Sequence, residues 1–344
     1  MKIPIMICGF KRPECLLKVV EAVKAIGAEK LYLVLDAPRI GRGDDLAGYT
    51  ACKKIFNNID WTCEVHRNYA KENMGCGKRM TTGISWVFKQ EEMAIILEDD
   101  CVPHPTFFRY CSELLERYKD DGRVAAINGH DEHLHLGSID FHGYSYYFDR
   151  MMSCWGWATW RRAWQLHDPT LSYLAELCDA ESVRNIIDSK REYKRWYDNI
   201  WRIHDGKKNT WAGAWATTIY KEGMLVIHPT VNLVTNVGYE NTSRNQSVTS
   251  TNGMRFVHRA PFSSRKLVPM TFPMKHPIAI VINRQSERFC LSDALYATTW
   301  AKIVRDPIGA MLRLCEIVGR YIQPKKKNHD HTDGSGDVHV ISSV

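Results

Sequence analysis

The sequence predicts an α/β protein, a mostly parallel central sheet with helices on both faces. Three observations predict it. Short strand-like runs at residues 3–8, 31–35, 62–66 and 93–97 alternate with longer stretches whose apolar residues recur at helical spacing. Residues 31–35 and 93–97 are apolar throughout, as strands buried on both faces of a parallel sheet must be. Three of the runs end abruptly in polar chemistry: Phe10, Lys11 and Arg12; Asp36 and Arg39; Glu98, Asp99 and Asp100. In a parallel sheet those ends share one rim.

In order, residues 3–8 form a first strand, and Gly9 to Pro13 turn the chain into a helix over 14–26. Leu16, Val19, Val20 and Val23 give that helix its apolar face. The second strand is followed by a helix over 46–56 and a third strand at 62–66. A loop to Gly77 precedes a helix over 78–89, and the fourth strand follows. Phe107, Tyr110, Cys111, Leu114 and Leu115 mark the buried face of a helix over 106–118, with a fifth strand at 124–127 and another at 144–148. Trp157, Trp160 and Trp164 stand at helical spacing. Residues 171–204 read as helices rich in Trp and Arg, and 224–228 and 231–235 as short strands.

Beyond these, residues 241–253 are polar without apolar period, a lid candidate. Prolines at 261, 269, 273 and 277 suit an extended segment wrapping the body. A helical stretch over 291–322 breaks at Asp306-Pro307, and 324–344 read as a disordered tail.

The 344 residues are 44% hydrophobic and 25% charged, an ordinary globular composition, with no apolar run long enough to span a membrane. The N-terminus lacks the long apolar region of a signal peptide. Eleven cysteines without a Cys-x-x-Cys pair suit reduced thiols in a cytoplasmic protein. Residues 255–344 hold 14 Lys and Arg against 7 Asp and Glu, which accounts for the whole formal charge of +7. No nucleic-acid module accompanies them, so nucleic acid is not an expected partner. Residues 308–322, with Met311, Leu312, Leu314, Ile317 and Val318 beside Arg313 and Arg320, suit peripheral membrane contact or docking on a protein.

The chemistry gathers at Glu98, Asp99 and Asp100. Adjacent acids repel unless a positive charge sits among them, and open α/β sheets take ligands at the carboxyl ends of strands. A divalent cation bridging these acids to nucleotide phosphates answers both facts. An N-cap cluster for the helix that follows His104 answers the first alone. On the same rim Arg12, Arg39, Lys78 and Arg79 are candidates for phosphates, and Asp36 for a ribose hydroxyl or base nitrogen. Gly75-Cys76-Gly77-Lys78 is no P-loop, because Glu72 and Arg79 stand where glycine and Ser or Thr are required. Its glycines suit a tight turn and close backbone approach to a ligand. His130, His133 and His135 lack the spacing of zinc ligands. Trp155 and Trp157 flank Gly156, where an aromatic face can stack on a sugar ring.

These residues carry a resemblance. The strand ending in Glu98-Asp99-Asp100, with Pro105, Phe107 and Phe108, resembles the metal-binding signature of nucleotide-sugar glycosyltransferases of the GT-A fold. Arg12-Pro13, Asp36, Asn73 to Cys76, and Trp155 to Trp160 resemble a bacterial family 2-like, hemolytic-protein-like branch. The Glu-Asp-Asp run is also similar to that of inverting N-acetylglucosaminyltransferases. Residues 210–215, around Trp211, and 228–238 continue the similarity.

The resemblance implies a Rossmann-like GT-A domain: residues 1–128 binding the nucleotide-sugar donor, 129–253 the acceptor, 254–323 wrapping it. It implies Asp100 as principal ligand of Mn²⁺ or Mg²⁺, and Asp99 or Glu98 on the donor ribose or sugar. Asp36 belongs near the base, and Phe10, Arg12, Asn73, Lys78 and Arg79 on the nucleotide side. Trp155, Gly156, Trp157 and Trp211 belong to the sugar and acceptor. The implied reaction moves a sugar, UDP-linked by expectation, to a glycan, lipid-linked or protein acceptor with inversion. The chain departs from the pattern at Ala212-Gly213-Ala214, where an acid is expected, so Asp131, Glu132, Asp149 and Glu240 become candidates for the base. A sugar-phosphate nucleotidyltransferase and a catalytically silent scaffold remain alternatives.

Overall fold

The computed structural model describes residues 2–130, 140–179, 183, 190–239, 248–249, 255–256 and 266–286. These belong to one compact unit, Met1–Ser292; a second, Asp293–Val344, lies outside the described residues. So do Asp131, Glu132 and Glu240, most of the 241–253 lid candidate, the 308–322 segment and the tail.

The first half alternates strand and helix as its pattern requires. The elements are β1 (Ile5–Gly9), α1 (Pro13–Ala25), β2 (Lys30–Leu35), α2 (Gly43–Asn57), β3 (Glu64–Tyr69), α3 (Gly75–Phe88) and β4 (Met93–Glu98). β5 (Cys101–Pro103), α4 (Pro105–Arg117) and β6 (Val124–Asn128) follow. Pro13 and Pro105 each open a helix, where the missing amide hydrogen costs nothing. The second half adds β7 (Tyr146–Asp149), β8 (Trp157–Trp160), α5 (Arg161–Trp164), α6 (Leu174–Asp179), α7 (Lys190–His204), α8 (Ala212–Lys221), β9 (Leu225–Pro229) and β10 (Val234–Asn236).

Eight strands form one sheet in the order β3-β2-β1-β4-β8-β6-β9-β7. β1 pairs in parallel with both β2 and β4, β2 with β3, and β6 with β9. β8 runs antiparallel between β4 and β6, and β7 antiparallel on the β9 edge. The sheet is therefore mostly parallel and Rossmann-like through its first four strands, as the sequence predicts.

The tryptophan run departs from the helical expectation. Residues Trp157 to Trp160 are strand, and only Arg161–Trp164 is helical. The residues of β8 are all buried, so they face cores on both sides of the sheet and carry no period-two signal. One core layer packs α1, α2 and α4 on the sheet through Leu16, Val19, Phe56, Phe107 and Leu114. The opposite layer packs α3, α5 and α8 through Met80, Ile84, Trp164, Trp215 and Ile219. Residues 266–286 run along the body, bonding Asn232, Thr106, Ser145 and Phe148. Among the described residues all nine cysteines are free thiols, and no helix is long and apolar enough to cross a membrane.

Candidate functional site

β1 leads to β2 on one side, while β4 lies on its other side, so the strand order reverses between β1 and β4. This is the topological switch point, where the crevice of an open α/β sheet forms. The segment leaving β1 is Phe10-Lys11-Arg12; β4 ends in Glu98, followed by Asp99 and Asp100. The backbone amide of Phe10 donates to Asp99 Oδ2 at 3.2 Å. Arg12 bridges the two acids: Nη2 pairs with Asp99 Oδ1, and Nη1 with Asp100 Oδ2 at 2.6 Å. Both carboxylates are buried, whereas the Arg12 side chain is 44% exposed.

The electrostatics follow from that packing. Burial alone would lower the Arg12 guanidinium, but Asp99 and Asp100 outweigh it and hold Arg12 well above its ordinary value. Burial, with the charges of Asp100 and Asp99, lifts Glu98 to about 8 against the pull of Arg12. Burial likewise raises Asp99.

A second layer closes over the acids. β5 pairs antiparallel with β10, and the Val237 amide donates to the Asp100 carbonyl at 2.8 Å. Gly238 follows, its amide donating to Asn236 Oδ1 at 2.9 Å. A Cβ on Gly238 would lie 2.5 Å from Asp100 Oδ2 and 2.7 Å from Arg12 Nη1. The sequence reading missed Asn236 and Gly238 as parts of the site, although the Asn-x-Gly spacing was a signal.

Asp36 is placed differently from its expected role. It is buried and accepts four hydrogen bonds, from Ala37 N, Met74 N, Gly75 N and Asn73 Nδ2 at 2.9–3.2 Å. A carboxylate has about four acceptor sites, so none is left for a ribose hydroxyl. Asp36 and Asn73 shape the loop into α3. Gly75 and Gly77 approach Asn209 of the chain itself, not a ligand: a Cβ on either would collide with that side chain, and Gly77 N donates to Asn209 Oδ1 at 2.7 Å. With those amides spoken for, the α3 terminus has little left for a phosphate. Lys78 is exposed. Arg79 is buried and binds the carbonyl and side chain of Asn68. Arg39 is committed to Asp45, as Lys11 is to Asp44 and Asp45. Phe10 stands between these cations, its ring centroid 5.9 Å from each.

The tryptophans also divide. Trp157 and Trp211 stack at 5.2 Å inside the core, with no face for a sugar. Trp155 is half-buried beside His130, the ring centroids 4.7 Å apart. Gly156 sits at φ 64° and backs onto Val234. Asp149 cannot serve as the base at the acidic corner. β7 is an edge strand and runs opposite to β9, so Asp149, paired with Val226, lies toward the amino end of the parallel strands, held by Ser286 Oγ. A cavity of about 420 Å³, lined by Tyr147, Phe148 and Ile282, also lies on that β7 side, apart from the acids.

An ion at Asp100 finds no seat in this arrangement. The oxygen it would use belongs to Arg12, Asp100 Oδ1 faces the buried Cys101 thiol at 3.5 Å, and Gly238 covers the approach. No group of three His, Cys, Asp or Glu able to hold a metal occurs among the described residues.

No protein family and no curated protein matches the chain by sequence. Among solved structures, it is similar to a mannosyltransferase from Pyrobaculum calidifontis in complex with GDP-Man and Mn²⁺, at 12% identity and TM-score 0.33. That match covers 48% of this chain, which spans 45% of the mannosyltransferase. A UDP-glucose pyrophosphorylase complexed with UDP-glucose matches at 11% identity and TM-score 0.37, over 67% of this chain and 90% of its own. A galactosyltransferase, LgtC, with donor and acceptor sugar analogues matches at 12% and 0.34, over 85% of this chain and 96% of its own.

Proposed function

We propose that the protein is a nucleotide-sugar glycosyltransferase of the GT-A type. It takes a hexosyl or N-acetylhexosaminyl group from a nucleoside diphosphate sugar, UDP-linked in the first instance. The acceptor is a glycan, lipid-linked or protein hydroxyl. One observation carries the reading: Arg12 and the acids Asp99 and Asp100 meet at the switch point between β1 and β4. A site there that joins a guanidinium to paired carboxylates suits a ligand with a diphosphate at one end and hydroxyls at the other.

In this reading the N–H groups of Arg12 that Asp99 and Asp100 leave unused meet the diphosphate and oppose the charge that grows on it as the sugar departs. Asp99 and Glu98 accept from ribose or sugar hydroxyls. Trp155, on the rim beside Gly156, offers an aromatic face to the sugar. The resemblance asks for Mn²⁺ or Mg²⁺ at Asp100, and Arg12 stands on that carboxylate instead. Asp131, Glu132 and Glu240 remain the candidates for the base that an inverting transfer needs. A lipid-linked acceptor would bring the protein to the cytoplasmic face of a membrane.

Calorimetry with UDP, followed by hydrolysis and transfer assays over a panel of nucleotide sugars, tests the reading. Binding of UDP with slow donor hydrolysis is expected. Failure to bind any nucleoside diphosphate would sink it, and binding without turnover on any acceptor would leave a silent scaffold.

A further inference from the structure

We infer that Arg12 is the resident cation of the acidic corner: its guanidinium takes the place on Asp99 and Asp100 that a divalent ion would take, and a nucleoside diphosphate binds there without metal. The first half rests on this chain's own geometry, and the second rests also on the reading above.

Two carboxylates on one short segment turn toward a single guanidinium. Arg12 Nη1 lies 2.6 Å from Asp100 Oδ2, and Nη2 pairs with Asp99 Oδ1, a fork that matches two acceptors at once. A divalent ion binds carboxylate oxygens at roughly 2.0–2.6 Å, so it would sit against the guanidinium already on those atoms and meet its like charge. The other oxygens are engaged as well. The second oxygen of Asp99 accepts from Phe10 N, and Cys101 Sγ meets that of Asp100. Gly238 leaves no room even for a methyl group above Asp100 Oδ2 and Arg12 Nη1.

Arg12 is fixed from its backbone as well. It precedes Pro13 at the start of α1, and its carbonyl accepts from Leu16 N at 3.0 Å. Of the five N–H groups of a guanidinium, Asp99 and Asp100 take one on each Nη. The side chain is 44% exposed, and the acids leave the remaining N–H groups unused. That surplus separates a binding cation from a buried structural pair: the fork holds the acids with one side and presents donors to phosphate with the other.

The test uses the full chain and Mn²⁺ alone, read by electron paramagnetic resonance. Arg12→Met keeps the bulk of the side chain and frees both carboxylates, and Mn²⁺ affinity should rise by roughly tenfold or more. Adding Asp100→Asn should cancel the gain. Wild-type protein that already binds Mn²⁺ as tightly as Arg12→Met overturns the inference, as does an Arg12→Met protein that folds and gains nothing. Should Arg12→Met fail to fold, the wild type decides through UDP titrations in EDTA and in MnCl₂. Affinities within about threefold of each other support the inference, and a loss of roughly tenfold in EDTA overturns it. If UDP binds in neither buffer, the nucleotide half and the proposed function fall together; Mn²⁺ titration of the wild type then judges the seat of Arg12, weak binding supporting it and micromolar binding that Asp100→Asn abolishes overturning it.

Discussion

Gly238 lies so close to Asp100 that a Cβ on it would come within 2.5 Å of Asp100 Oδ2. The contact joins the strand end that carries the acids to the turn that follows β10, so the corner is a closed assembly and not an open acidic edge. Gly238→Ala must push either the carboxylate or the Arg12 guanidinium aside. Overpacking of this kind costs about 1–3 kcal/mol. Urea denaturation should show that loss, together with weaker UDP binding; a variant that keeps both unchanged would disprove the close contact.

Asp36 gives a prediction of the opposite kind, stability without ligand contact. In Asp36→Asn one oxygen becomes an amide facing the donors it used to accept. The loop over Asn73, Met74 and Gly75 then loses charged hydrogen bonds worth about 1.5–3 kcal/mol each. Chemical denaturation should register the loss, and hydrogen exchange should quicken at Met74 and Gly75. Unchanged stability with lost nucleotide affinity would return Asp36 to the ligand.

His167 sets an acid limit to stability. Its ring packs 4.3 Å from Trp164 and 5.8 Å from Trp215, both ring nitrogens are buried without hydrogen-bond partners, and burial lowers its pKa to about 4. Above the unfolded value near 6.5 both states are neutral and the residue has no pH effect. As pH falls through that value the unfolded chain gains a proton that the folded chain refuses until about 4. Stability should therefore drop by about 2 kcal/mol between pH 7 and pH 5 on this account alone. His167→Phe should flatten that slope in denaturation curves at the two pH values, and an unaltered slope would discount the residue.

The two tryptophans around Gly156 should respond differently. Trp157→Ala removes a fully buried ring stacked on Trp211 and should cost about 3–5 kcal/mol. Trp155→Ala removes a half-buried ring and should cost less, while raising KM for the acceptor with kcat little changed. Equal stability losses in thermal denaturation, with no kinetic effect from Trp155→Ala, would place both in the core.

The first four strands were legible because each is a short run between helical patterns, and a parallel sheet imposes that rhythm. The acidic corner was legible for a related reason: Glu98, Asp99 and Asp100 interrupt an apolar strand, and only a strand end tolerates them. What could not be read was pairing. Nothing in the spacing of Arg12 and Asp99 says that the guanidinium reaches both acids across 87 residues of chain. The same limit hid Asn209 beneath Gly75 and Gly77, whose close approach was readable while its object was not. The sequence of β8 reads as helix because a strand covered on both faces shows neither period, and Trp157, Trp160 and Trp164 fall at three and four residues. Asp149 is a base candidate by sequence because an acid that closes an aromatic strand does not reveal which way that strand runs.

The antiparallel wedge of β8 between β4 and β6 has a bearing on where the polypeptide can be cut. Residues 1–128 contain β1 to β4 and the acids, and look like a self-sufficient nucleotide-binding fragment. Without β8, however, the hydrogen-bonding groups of Ala94 and Ile96 would lie bare along an apolar border, while Ile95 keeps its bond to Pro4. Such a fragment would stick to its own copies, so any minimal version for expression has to extend past Trp160.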